Sequence, residues 1–239
     1  MKTTIHKATE RGHANHGWLN AHHSFSFGQW YDPKKVHFGA LRVLNDDIIA
    51  PGMGFGTHPH DNMEIVTIPM EGELKHRDST GREEVIHEGE VQIMSAGSGI
   101  QHSEFNPNKD QHTNLLQIWV IPEKRNIEPR YDQKIFAQEG RQNQWQTVVS
   151  PSDENALWIN QQATFAITEL EAGKAVDYHL TKPEHGIYLF VMEGEISMGK
   201  DLTLGKRDAV GIEASEQVQI TATQNSKVLL IEIPMLELH

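Results

Sequence analysis

Four side chains in this sequence stand at spacings that suit metal chemistry. His58 and His60 are one residue apart, followed by the strand-like run Ile65, Val66, Thr67 and Ile68. On an extended chain, residues two apart leave the same face, so the two imidazoles converge on one point. Taken alone this is a weak signal: with 15 histidines in 239 residues, about one His-x-His is expected by chance. A second half-site strengthens it. His102 and Glu104 repeat the one-residue skip within Gly97-Ser98-Gly99-Ile100-Gln101-His102-Ser103-Glu104, and three neutral imidazoles with one carboxylate suit a divalent first-row metal ion.

The elements between the half-sites must bring them together. Glu71-Gly72, Asp78-Ser79-Thr80-Gly81, Glu88-Gly89 and Ser95-Ala96-Gly97 punctuate strand-like runs. Such spacing predicts two or three antiparallel hairpins. Closed into a small barrel, these hairpins return the second half-site beside the first.

With these residues in view, Gly52 through His58, His60, Glu64 and Gly72 is similar to the first cupin motif, and Gly89 through His102 and Asn106 to the second. The run Gly54-Phe55-Gly56-Thr57-His58-Pro59-His60, with Met63-Glu64-Ile65, Met94-Ser95-Ala96-Gly97 and His102-Ser103-Glu104, resembles the pirin family of bicupin proteins. The opening Arg11-Gly12-His13-Ala14-Asn15-His16-Gly17-Trp18-Leu19 and His23-Ser24-Phe25-Ser26-Phe27 resemble its bacterial members. The chain departs from general cupins at three points. Gly72 comes one residue late, Ser95 replaces a proline, and four residues rather than two separate Gly97 from His102. General cupins use the glutamate after His-x-His as a ligand. The resemblance to pirins implies instead one metal held by His58, His60, His102 and Glu104, with Glu64 left out.

The implied fold is all-β: two antiparallel jelly-roll barrels with few short helices, residues 1–135 carrying the metal and residues 136–239 lacking its ligands. An internal repeat supports this. Met192-Glu193-Gly194-Glu195 lies over Met70-Glu71-Gly72-Glu73, and Leu229 to Pro234 echoes Leu115 to Pro122. Carried back at the same offset, His58 and His60 fall on Leu180 and Lys182, and no histidine lies between His185 and His239. His179 and His185 therefore read as loop or rim residues.

Elsewhere, Phe38 to Leu44 reads as a strand and Asn45-Asp46-Asp47 as a turn. Phe25 and Phe27 alternate with Ser24 and Ser26 as in a half-buried strand. The arm formed by residues 1–50 is expected on the first barrel. His13 with His16, or His22 with His23, lack the partners a metal site needs and read as loop histidines holding hydrogen bonds. Asn114 to Pro122 reads as a buried strand, residues 123–150 as a polar connecting segment with a short strand at Thr147-Val148-Val149.

Composition narrows the function classes. The formal charge of -12 argues against a nucleic-acid surface. Zero cysteines exclude disulfides, thiolate ligands and cysteine nucleophiles. No apolar run has transmembrane length and the start is too polar for a secretory signal, so a cytoplasmic protein without membrane contact is expected. The expected ion is Fe(II), with Mn, Ni, Co, Cu and Zn also compatible with the donors. The resemblance implies a quercetin 2,3-dioxygenase, taking a flavonol-like aromatic and O2 and releasing CO, with Glu104 as ligand and base together. A metal-dependent or redox-sensing regulator of a protein partner is the alternative, and a structural metal in an oligomer the blandest reading.

Overall fold

The computed structural model describes residues 2–199 and 201–236, so the end of the expected C-terminal unit, 237–239, lies outside them. The chain opens with β1 (Lys2–His6), β2 (Gly12–Asn15), β3 (Leu19–His23), β4 (Leu41–Ile49), β5 (Gly54–His60) and β6 (Glu64–Glu71). It continues through β7 (Glu73–Asp78), β8 (Glu83–His87), β9 (Glu90–Ser95), β10 (Ile100–Phe105), β11 (Thr113–Val120) and β12 (Arg130–Ile135). Then come β13 (Gln146–Val149), β14 (Thr164–Leu170), β15 (Ala175–His179), β16 (His185–Glu193) and β17 (Glu195–Met198). The last are β18 (Leu202–Gly205), β19 (Ala209–Glu213), β20 (Gln217–Ala222) and β21 (Ser226–Pro234). Helical structure among the described residues is limited to two 3-10 turns, Ala8–Glu10 and Gln138–Arg141.

The strands form two pairs of antiparallel sheets. A seven-stranded sheet, β12-β9-β6-β11-β4-β3-β2, faces a four-stranded one, β5-β10-β7-β8. A six-stranded sheet, β1-β19-β16-β21-β14-β13, faces β15-β20-β17-β18. The same turn opens the smaller sheet of each pair. Gly72 (φ 78°) between β6 and β7 and Gly194 (φ 81°) between β16 and β17 adopt a left-handed conformation that favours glycine. A Cβ on Gly194 would also lie 2.2 Å from the Asn225 carbonyl oxygen.

One apolar layer joins the two large sheets: Leu44, Val66, Leu116 and Ile118 meet Phe165, Tyr188, Phe190, Leu229 and Ile231. Each such side chain fully buried contributes about 1.5–3 kcal/mol. The opposite faces form the barrel interiors. In the second barrel that interior is filled by Ile187, Leu189, Val191, Ile220 and Leu230 among others. In the first, Leu19, Ile49, Leu74, Ile86 and Leu115 fill only one part, and a cavity remains.

Several local expectations are corrected. Asn45-Asp46-Asp47 is not a turn; these buried residues lie inside β4, within the large sheet. Remote partners satisfy two of them: His23 Nδ1 lies 2.9 Å from Asn45 Oδ1, while Asp46 meets Arg11 at 3.3 Å and Arg207 at 3.1 Å. Phe25 and Phe27 sit in an irregular segment, where Ser26 Oγ donates to the Asp32 carbonyl and accepts from the Asp32 N–H. The arm divides: β2 and β3 extend the first large sheet, but β1 pairs with β19. The polar segment contains β12, an edge strand on β9 whose side chains are all half-buried or exposed, and charged side chains are common on such edges.

Candidate metal centre

β5 and β10 pair antiparallel with His58 directly opposite His102 and His60 opposite Ile100. Close approach at one end is possible because residue 54 is glycine: a Cβ there would stand 2.1 Å from the Glu104 carbonyl oxygen. A bulge between His102 and Glu104 resets the register so that Glu104 faces Phe55 on β5 and His76 on β7.

Ligand atoms of His58, His60 and His102 lie within 4.8 Å of one another, and those of His76, His102 and Glu104 form a second such group. His58 Nδ1 is 2.8 Å from the Gly56 carbonyl oxygen. Only a protonated Nδ1 can donate there, which leaves the Nε2 lone pair free to ligate. Nε2 of His102 is 3.0 Å away. Two nitrogens about 2.1 Å from a shared cation and at right angles around it are about 3 Å apart, so a metal ion fits this spacing.

The electrostatics agree with that fit. Burial, then the neighbouring His58, lowers the His60 pKa to about 4. Burial, with His58 and His60 next, takes His102 down to about 2. Both imidazoles are therefore neutral, the ligating form. Burial pushes Glu104 up to about 7, against a hydrogen bond from Gln117, whose Nε2 donates to Oε2 at 3.0 Å. No Lys or Arg occurs among the described residues lining the cavity, although Glu104 and Asp47 both do. Such a wall accommodates a cation better than any anion.

The cavity measures about 260 Å³ and is walled by Phe27, Phe55 and Trp119 beside the cluster. Trp119 meets the His60 ring edge-on, centroids 4.9 Å apart, and its Nε1 donates to Gln117 Oε1 at 3.4 Å. A wider chamber of about 700 Å³, bordered by Trp18, Trp30 and His16, shares Leu19, Ala21, His23, Phe27 and Phe55 with it. The cluster thus sits at one end of an aromatic passage.

His76 is the residue that sequence reasoning missed. It is fully buried, its Nε2 lies 3.0 Å from Asp78 Oδ2, and its Nδ1 has no partner among the described residues. Burial lowers its pKa, against the hydrogen bond to Asp78. The signal was present: His76 and Asp78 repeat the one-residue skip of the two half-sites. Gln117 carried no such signal, since its role depends on the pairing of β11 with β4 and β6.

The remaining candidates lie apart. Glu64 belongs to neither ligand group; its Oε2 accepts from Ser95 Oγ at 2.8 Å and the Asn160 N–H at 3.1 Å. His13, His22 and His23 are on strands rather than loops. They do hold contacts: His13 stacks on His22 at 4.6 Å, and its Nε2 is 2.7 Å from Asn20 Oδ1. His16 lies exposed after β2, and none of these histidines joins a group of three ligands among the described residues. His179 is exposed at the end of β15. His185 is not a rim residue: it is buried at the start of β16, its Nδ1 2.9 Å from Glu232.

Comparison with known proteins gives the same architecture and a name for the family. The Pirin family model matches residues 4–120, and the model described as the quercetinase C-terminal cupin domain matches residues 147–233. A quercetin 2,3-dioxygenase of Escherichia coli (strain K12) is 42% identical over 233 residues, 96% of this chain and 98% of the relative. The crystal structure of YhhW from Escherichia coli superposes with a TM-score of 0.93 at 39% identity, covering 100% of both chains. The bacterial pirin YhhW in complex with nickel(II) gives 0.92 at 40% identity, covering 98% of this chain and 100% of that one. A bicupin with this histidine cluster, matched along nearly its whole length, belongs to the pirin family.

Proposed function

We propose that the chain is a metal-dependent dioxygenase that opens the heterocycle of a flavonol such as quercetin, consuming O2 and releasing CO. In this reading His58, His60, His102 and Glu104 hold one divalent ion, with Fe(II) the expected metal. The chemistry belongs to the N-terminal unit, residues 1–135, with none in 136–239, and the setting is the cytoplasm. No helix among the described residues is long and apolar enough to cross a membrane.

The observation that supports this most is the convergence of three imidazoles and a buried carboxyl on an aromatic-walled cavity. A flat aromatic ligand packs well against Phe27, Phe55 and Trp119 through stacked and edge-on contacts. Apolar walls with a few convergent polar groups are the usual form of a small-molecule site. When bound, the divalent ion supplies a Lewis-acid contact that acidifies a substrate hydroxyl. Glu104 accepts that proton at a carboxylate oxygen, and Gln117 fixes the direction in which the carboxyl points. The aromatic walls keep water from the reacting face, and Trp119 braces both His60 and Gln117.

The test follows oxygen uptake and CO release with quercetin for the wild type, Glu104→Gln and metal-free protein. Wild type should turn over, and Glu104→Gln should keep part of its metal while losing turnover by a factor of about 100 or more. Identical behaviour of all three excludes this activity and favours a metal-dependent regulator of a protein partner. Loss of metal in proportion to activity removes the proton-acceptor role alone.

A further inference from the structure

Along β4, Asn45 and Asp47 both line the cavity. Asn45 is engaged by His23 Nδ1. Asp47 is 3% exposed, and its Oδ1 is buried with no hydrogen-bond partner among the described residues. Its strand neighbours are apolar, Ala21 on β3 and Leu115 on β11. The arginines of this region, Arg11 and Arg207, are committed to Asp46 instead.

A buried carboxyl without partners is costly, and such groups recur where a ligand completes them. Its position fits that use. Gln117, which orients Glu104, pairs with Asn45, so Asp47 is its diagonal neighbour across the ladder. Diagonal neighbours sit about 7–8 Å apart, so a planar ligand that reaches the imidazole cluster passes within reach of Asp47.

We propose that Asp47 reads a hydroxyl group of the aromatic substrate, so that the cavity selects polyhydroxylated ligands over those lacking that hydroxyl. The inference rests on the flavonol reading given above and names the specificity determinant of the same cavity. Burial, with Asp46 and Glu104 next, pushes the Asp47 carboxyl up to about 8. At neutral pH it keeps its proton and can either donate to a ligand oxygen or accept from a hydroxyl. Asp47 lines the smaller cavity beside its strand partner Ala21, a small residue that both chambers share.

The experiment compares metal-loaded wild type, Asp47→Ala and Asp47→Leu. Under anaerobic conditions, dissociation constants are measured for 3-hydroxyflavone, which has no hydroxyl beyond the one beside its ketone, and for kaempferol and quercetin, which add further hydroxyls. Metal content and melting temperature are measured on the same samples. Wild type should prefer a more hydroxylated flavonol over 3-hydroxyflavone by about tenfold or more. Asp47→Ala should lose that preference to within about twofold, with metal content unchanged and a melting temperature no lower than wild type. Asp47→Leu keeps the branched shape with neither donor nor acceptor and decides by the same criterion if the alanine variant does not stay folded. Retention of the preference in either folded variant, while wild type binds and turns over flavonols, overturns the role of Asp47 and leaves the dioxygenase reading standing. Wild type that holds metal but binds no flavonol overturns both.

Discussion

Gln117 and Trp119 on β11 stand, by strand register, where Leu230 and Glu232 stand on β21. The equivalence follows from the repeat: Thr67 and Ile65 pair with Gln117 and Trp119, and their counterparts Leu189 and Ile187 pair with Leu230 and Glu232. One strand further, Asn45 and Asp47 correspond to Ala166 and Thr168. Gln117, Asn45 and Asp47, polar wall residues of the first barrel, thus give way to Leu230, Ala166 and Thr168 in the second. Leu230 joins an apolar interior. Leu180, at the place of His58 in the repeat, packs partly buried against that interior, and Lys182, at the place of His60, donates to Gln162 at 3.0 Å. Glu232 accepts hydrogen bonds from Tyr178 at 2.8 Å, Thr181 Oγ1 at 2.7 Å and the Thr181 N–H at 3.0 Å, and meets His185 at 2.9 Å. The same sheets therefore serve as a binding chamber or as a closed strut, depending on a handful of inward positions.

This contrast can be broken from either side. The largest effect is expected from Glu232→Ala, which strands His185 and several donors in a buried setting. It should destabilise the fold by about 3 kcal/mol in urea denaturation and leave metal content unaltered. Reduced metal with unchanged stability would instead tie Glu232 to the first barrel. Next is Gln117→Leu, which imports the residue of the second barrel. Glu104 then loses its orienting donor, and metal affinity measured by competition with a chelator should fall by about 10- to 100-fold. An unchanged affinity would mean that Gln117 does not position the carboxyl.

The smallest effect concerns Glu64, whose counterpart in the repeat is Gly186. Burial pushes the Glu64 carboxyl up to about 7, against hydrogen bonds from Asn160 and Ser95. The native state therefore holds this proton more tightly than the unfolded chain, whose ordinary value is about 4.5. The stabilisation is full below that value and is lost as pH rises through about 7. Glu64→Gln should accordingly gain stability relative to wild type as pH rises from 4.5 to 8. Denaturation curves at a series of pH values check this, and a pH-independent difference would contradict it.

The features legible in the sequence were those set by local chemistry. Glu71-Gly72-Glu73 and Glu193-Gly194-Glu195 announced themselves because a left-handed turn favours glycine. His58, His60 and His102 were legible because strand periodicity alone puts paired residues on one face. The misread segments depend on remote partners. Asn45-Asp46-Asp47 has turn composition, yet Arg11, Arg207 and His23 satisfy two of its side chains inside a sheet. β12 looked like a linker because an edge strand needs little apolar surface, and β1 gave no hint of its partner more than two hundred residues away. His185 resembled a rim residue until Glu232, far along the chain, was placed beside it.

The central claim, that one barrel holds metal and the other does not, is tested most directly by elemental analysis of purified protein, comparing wild type with the double variant His58→Ala, His60→Ala. The result expected is about one equivalent of a divalent transition metal per chain in wild type, falling to a tenth or less in the double variant while the fold persists by circular dichroism. Two equivalents per chain, or one that survives the double substitution, would contradict it.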